Sequence, residues 1–160
     1  MDKRSDDNQD QHTGGLTLVQ RSLMTHLRQK RTMLAACEYF QRHTPTAEAP
    51  KDPWLDAMIE MLRTDVADLS RMLRLYDMPS AAVYTMRYQV DEARNSKDRG
   101  SRLTFLLARS RAMMRWIEQE LEAHPPDDVA QLWTEFLTAE QQRVQQIEAM
   151  LTEAKAQITD

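Results

Sequence analysis

At 160 residues, the chain is long enough for one domain with a buried core and too short for two comfortable ones. Hydrophobic residues make up 41% and charged residues 29%, a globular balance, and no run approaches the roughly eighteen apolar residues of a membrane helix. A net charge of −4 opposes whole-molecule attraction to nucleic acid, and the single cysteine, Cys37, excludes an intramolecular disulfide or a cysteine-based zinc cluster.

Residues 1–15 are polar, lack periodicity and close on Gly14-Gly15. They predict a disordered tail without an apolar secretion signal, and hence a cytoplasmic protein. One ordered domain is expected over 16–160. The chain has three glycines, too few for the turns of a sheet protein, and its bulk of Leu, Met, Ala, Gln, Glu and Arg favours helix. The first helix carries Leu16, Val19, Leu23, Leu27, Leu34, Cys37 and Phe40 at helical spacing, and Thr44, Pro45 and Pro50 end it. Asp52 is the expected cap of the second, with Pro53 at its first position. That helix carries Leu55, Met58, Leu62, Leu69, Met72 and Tyr76 and stops at Asp77-Met78-Pro79. A shorter helix is expected over 80–94, then a break over 95–100. The third long helix carries Leu103, Leu107, Met114, Ile117 and Leu121 and ends at His124-Pro125-Pro126. Asp127 or Asp128 caps the fourth, with Val129, Trp133, Phe136, Val144, Ile147, Leu151 and Ile158 on its seam.

Each long helix has one polar interruption in its apolar seam. Lys30 falls between Leu27 and Leu34, Asp65 between Leu62 and Leu69, Ser110 between Leu107 and Met114, and Glu140 between Phe136 and Val144. Asp68 and Arg143 follow the two acids by one turn, on the same face. The halves also echo each other. Leu27, Lys30, Leu34 and Cys37 align with Leu107, Ser110, Met114 and Ile117, and Met61-Leu62 before Asp65 aligns with Phe136-Leu137 before Glu140, the pattern of a repeated helix pair.

Two helix pairs joined by a long crossover with a short helix of its own, with polar residues mid-helix on every inner face, resemble the ferritin-like four-helix bundles, nearest in pattern to rubrerythrin-type domains. The resemblance spans residues 16–158 and implies an all-α fold with a di-iron site built from two Glu and two Glu-x-x-His sets. In this sequence Lys30 and Ser110 stand where the lone glutamates would be, and Asp65-x-x-Asp68 and Glu140-x-x-Arg143 stand where the Glu-x-x-His sets would be. Two cations and a serine make a poor ligand set for two metal ions. His12 lies in the tail, His26 in the outer half of the first helix, and His43 and His124 at helix ends. The expectation is a lost metal site, with no cofactor and no catalytic residues, in which Lys30 and Arg143 pair with Asp65, Asp68 and Glu140 as a buried salt-bridge network. A seam shifted by one residue would instead leave Lys30 and Ser110 at a wet edge.

Residues 16–43 and 94–115 are net basic, while 44–93 and 116–160 are net acidic, so first and third helices attract second and fourth. Met33, Met58, Met61, Met72, Met113 and Met114 suit core filling. Trp54, Trp116 and Trp133 lie near helix ends, where one exposed ring would anchor a dimer. Cys37, on a seam without a histidine beside it, reads as a buried hydrophobe. The expected function is that of a non-enzymatic ferritin-like protein acting through protein–protein contact, as a homodimer or with another protein partner, with neither membrane nor nucleic acid as partner. Two alternatives stand beside it. One is a metal-dependent redox or oxygen-using enzyme with a divergent site at Asp65, Asp68 and Glu140. The other is an adaptor that binds an anionic macromolecule through a basic strip of Arg94, Lys97, Arg99, Arg102 and Arg109.

Overall fold

Helix α1 (Leu18–Arg42) opens on a reciprocal capping box. The Gln20 amide N–H donates to Thr17 Oγ1 at 3.1 Å, and the Thr17 N–H donates to Gln20 Oε1 at 3.0 Å, so two otherwise unbonded helix-start donors are satisfied together. The structure, a computed structural model, describes residues 17–43, 52–79 and 85–159, the side chains of 157–159 excepted. The tail expected over 1–15, Leu16 and the loop prolines Pro45 and Pro50 lie outside the described residues. Helix α2 (Pro53–Leu75) starts at Asp52, whose carboxylate accepts from the Trp54 and Leu55 N–H groups, with Pro53 in the first turn.

The end of α2 is set by Asp77, whose φ of 61° places it in the left-handed region. The Met78 N–H reaches back to the Leu73 carbonyl at 2.9 Å and the Asp77 N–H to Arg74 at 3.1 Å, a Schellman closure with aspartate where glycine is usual. Of the short helix expected over 80–94, only α3 (Arg87–Arg94) is helical among the described residues, and 80–84 lie outside them. The expected break is also shorter than 95–100. Helix α4 (Arg99–Glu122) already includes Arg99 and Gly100, because the Asp98 carboxylate captures the Ser101 N–H at 2.7 Å and starts the helix there. His124, at φ 51°, and Pro125-Pro126 terminate α4, and α5 runs unbroken over Asp127–Thr159. Its 33 residues make it about 50 Å long at 1.5 Å per residue. The described residues contain no strand.

Side-chain contacts give the helix directions. Gln20 meets Tyr76 at one end of α1 and α2, and Gln41 meets Asp56 at the other, so these two run antiparallel. Ser22 bonds Glu120, while Arg102 bonds the carbonyls of Phe40 and His43, which sets α4 antiparallel to α1. Trp116 against Trp133 and Arg111 against Glu148 do the same for α4 and α5. Tyr76 with Asp128 and Trp54 with Gln146 complete the circuit between α2 and α5. The four long helices therefore form a ring in the order α1, α2, α5, α4, with α1 and α5 at opposite corners. Between α2 and α4, residues 85–98 lie along α1, where the Met86 N–H donates to Thr32 Oγ1 at 2.9 Å and α3 packs.

The core is two apolar clusters rather than one. Met33, Cys37, Phe40, Ile59, Leu62, Leu106 and Ile147 belong to the first, and Leu23, Leu27, Leu69, Leu73, Ile117, Trp133 and Phe136 to the second. On α1, α2 and α5 the boundary between them falls at Lys30, Asp65 and Glu140 respectively. Met33, Met58 and Met113 fill the core as expected, whereas Met61 is 44% exposed and Met72 and Met114 are half-buried. On α4 it is Met113, next to the seam position read from the spacing, that is fully inside.

Candidate functional site

The interruption on α1 is the centre of the site. Lys30 is wholly buried, and its Nζ lies 2.9 Å from Asp65 Oδ2 on α2 and 2.9 Å from Glu140 Oε1 on α5. The contact to Glu140 is a hydrogen bond; that to Asp65 is an ion pair off the hydrogen-bond direction. One turn after Glu140, Arg143 donates to the same Oε1. One turn before it, the Phe136 ring lies 4.7 Å from the ammonium, a distance at which the ring face attracts a cation. Two cations and two carboxylates thus meet between the two apolar clusters.

The electrostatics follow from this packing. Burial by itself raises the Glu140 carboxyl, but the charges of Lys30 and Arg143, with the Lys30 hydrogen bond, outweigh it and hold the group below its ordinary range. Charge is conserved within the site: each carboxylate has a cation against it, which is the condition under which ions tolerate a dry interior.

Two expected members are placed differently. Asp68 is turned outward and bonds Arg71 on its own helix. Ser110 is fully buried, and its hydroxyl has no hydrogen-bond partner among the described residues. It lies between Leu107 and Met113, both of the first cluster, a turn to one side of the boundary. The shifted register, with Lys30 and Ser110 at a wet edge, is overturned by the complete burial of both.

His26 is the residue that sequence reading misplaced. It is not on an outer half: it is completely buried one turn from Lys30. Its ring stacks on Trp116 at 5.0 Å and 6°, meets Trp133 edge-on at 5.0 Å, and lies 5.3 Å from Phe136. Nδ1 lies 2.9 Å from Gln29 Oε1, which assigns the proton to Nδ1 in the neutral ring. Burial first, and then the nearby Lys30 charge, push its pKa down to about 3 against the opposing effects of Gln29 and Glu140. The available signal was its spacing, since Leu23, His26, Leu27 and Lys30 share one stripe. Trp133 is likewise buried and Trp54 and Trp116 are half-buried, so none of the three is the exposed ring expected as an anchor.

The site does not fit a two-metal carboxylate centre. The place between Asp65 and Glu140 is held by an ammonium group, and the arginine on Glu140 would repel a second cation. Among the described residues, no three His, Cys, Asp or Glu side chains gather as a metal-binding group. The basic strip is also dispersed. Arg102 is spent on the carbonyls of Ser96, Phe40 and His43, Arg94 faces Asp91 and Tyr39, Arg99 approaches Asp52 at 4.0 Å, and Arg109 is half-buried, with Lys97 exposed. Cys37 is buried, its Sγ 3.9 Å from Met58 Sδ, and burial pushes its thiol up to about 12. No helix among the described residues is long and apolar enough to cross a membrane.

No family model matches this chain, and no curated protein or solved structure matches it at a significant level.

Proposed function

We propose that this chain is a ferritin-like bundle in which an internal ion pair stands where a di-iron centre would be, and that it works without catalysis, through contact between copies of itself. The observation that carries the reading is the Lys30 ammonium, 2.9 Å from carboxylates on two other helices. The ring order of the long helices and the returning connection agree with a bundle of two hairpins and one crossover. A lysine that bridges the carboxylates neutralises the charge that would otherwise recruit cations, and ties three helices at mid-height.

The contact surface is read from what the fold leaves outside. Leu18 is 80% exposed and Leu75 is 69% exposed. They occupy the start of α1 and the end of α2, the same end of that pair, where the Gln20 side chain donates to the Tyr76 carbonyl. Large apolar side chains grouped at one end of a helix pair suit a self-complementary contact about a two-fold axis.

Light scattering across a concentration series tests the contact. A dimer that becomes monomeric in Leu18→Glu/Leu75→Glu supports the reading, and a wild-type chain that stays monomeric at every concentration sinks it. Elemental analysis after anaerobic loading with ferrous iron tests the ion pair. Stoichiometric iron that disappears in Asp65→Ala or Glu140→Ala would establish a metal enzyme instead.

A further inference from the structure

Glu140 and Arg143 are joined through one atom of each, Oε1 and Nη1. The second atom of each, Oε2 and Nη2, is buried without a hydrogen-bond partner among the described residues. The two groups therefore meet corner to corner, and not as the parallel fork that would saturate both. Lys30 also bonds Oε1, so it leaves Oε2 as it is. Both side chains are buried, and a charged group left with a bare atom in the interior costs more than a neutral one.

Ser110 adds a third group of the same kind, a buried hydroxyl without a partner among the described residues. In the antiparallel register set by Trp116 with Trp133 and Arg111 with Glu148, it stands opposite the part of α5 that carries Glu140 and Arg143. It is displaced from the boundary between the apolar clusters to the same side as Arg143, toward the cluster that holds Met113 and Ile147. The charges of Arg143 and Glu140 also act on the thiol of Cys37, a member of that cluster, so the two groups face inward at this level.

The three atoms select a ligand by their signs. Arg143 Nη2 can only donate, the ionised Glu140 Oε2 can only accept, and the Ser110 hydroxyl can do either. An anion on Arg143 would be repelled by Glu140, and a cation on Glu140 would be repelled by Arg143. Water donates and accepts at once, and three partners are the usual number for a buried water. Side-chain size supplies the room. Ser110 interrupts a seam of Leu103, Leu107, Met114 and Ile117, and what it lacks relative to leucine is roughly the bulk of one water. The backbones pack closely within the α1–α2 and α4–α5 hairpins and stand farther apart across them.

We infer that the bundle interior has a binding site for one water molecule here, which accepts from Arg143 Nη2, donates to Glu140 Oε2 and takes the Ser110 hydroxyl as its third partner. The site rests on the ion pair of the proposed reading and not on contact between copies. Light scattering decides the contact, and diffraction decides the water.

The test is a room-temperature crystal structure of the full chain, of Ser110→Thr and of Ser110→Val, with wild-type crystals also soaked in sodium bromide. Threonine and valine have the same shape and differ in the hydroxyl, so bulk alone would affect them equally. Wild type is expected to show a water peak within about 3.2 Å of Arg143 Nη2, Glu140 Oε2 and Ser110 Oγ. The peak is expected to persist in Ser110→Thr and to be lost in Ser110→Val, and bromide is expected to give no anomalous signal at the site. Arg143 Nη2 bonded directly to Glu140 Oε2 with no peak in wild type, bromide in place of water, or an equal peak in the threonine and valine variants would each overturn the proposal. The wild-type crystal decides it even if neither variant folds.

Discussion

Lys30 and Glu140 are 110 residues apart in sequence and 2.9 Å apart at their bonding atoms, although they stand on α1 and α5, which occupy opposite corners of the helix ring. Only a long side chain can cross such a diagonal. Lysine, with four methylenes below its charge, covers the distance while its stem packs among the apolar residues of the core. The pair therefore couples two helices that share little direct backbone packing, and Asp65 adds a third. Its contribution is to register more than to net stability, because the desolvation of the ions nearly cancels their attraction.

Removing one partner should expose that cancellation. Lys30→Met leaves Glu140 with Arg143 alone and Asp65 with no cation, and should lower unfolding free energy by about 3–5 kcal/mol, the usual loss when a buried pair is broken from one side. Lys30→Met/Asp65→Leu keeps the Arg143–Glu140 bond and removes the stranded acid, so it should recover most of the loss. Urea unfolding of both variants measures this. A single variant within about 1 kcal/mol of wild type, as for an exposed pair, would show the ion pair to be solvated.

His26 should make the protein acid-sensitive well above the carboxylate range. Its folded pKa is lowered to about 3, while the unfolded value is about 6.5. Between these limits the unfolded chain binds a proton that the folded one refuses, so stability is fully present above about pH 6.5 and falls with acid, at up to about 1.4 kcal/mol per pH unit. Glu140, whose folded pKa is depressed, adds a further loss only below the unfolded carboxylate value of about 4.3. Unfolding midpoints at pH 7, 6 and 5 should decline for wild type and stay nearly level for His26→Phe. Equal slopes in the two proteins would remove His26 as the cause.

Cys37 should be silent toward thiol reagents in the native state. The buried thiol, raised to about 12, is almost wholly protonated at neutral pH, and the thiolate is the reactive form. Modification by a disulfide reagent should proceed only as fast as the protein opens and should accelerate in Lys30→Met by the factor that its destabilisation implies. Stoichiometric labelling of native protein within seconds would contradict the burial.

Much of this architecture was legible in the residues. Asp52 with Pro53, and the Asp77-Met78-Pro79 and His124-Pro125-Pro126 stops, act through bonds within a few positions of themselves, so these helix ends can be read locally. The interruptions at Lys30, Asp65 and Glu140 were legible for a related reason: a mid-seam position faces the core whatever packs against it. Arg99 and Gly100 were misread as a break because composition alone does not show that the Asp98 carboxylate has captured the Ser101 N–H.

Tertiary structure alone decided the flanks of those seams. Asp68 and Arg143 hold the same relation to Asp65 and Glu140, yet one turns out to Arg71 and the other turns in to Glu140. His26 was likewise assigned to a place it does not occupy. A period of 3.6 residues fixes the direction in which a side chain leaves its helix to within an arc, and at the edge of that arc burial depends on which neighbour stands opposite and how far the side chain reaches. Those neighbours come from helices more than a hundred residues away in some cases, as Glu140 does for Lys30, and only the assembled ring brings them into range.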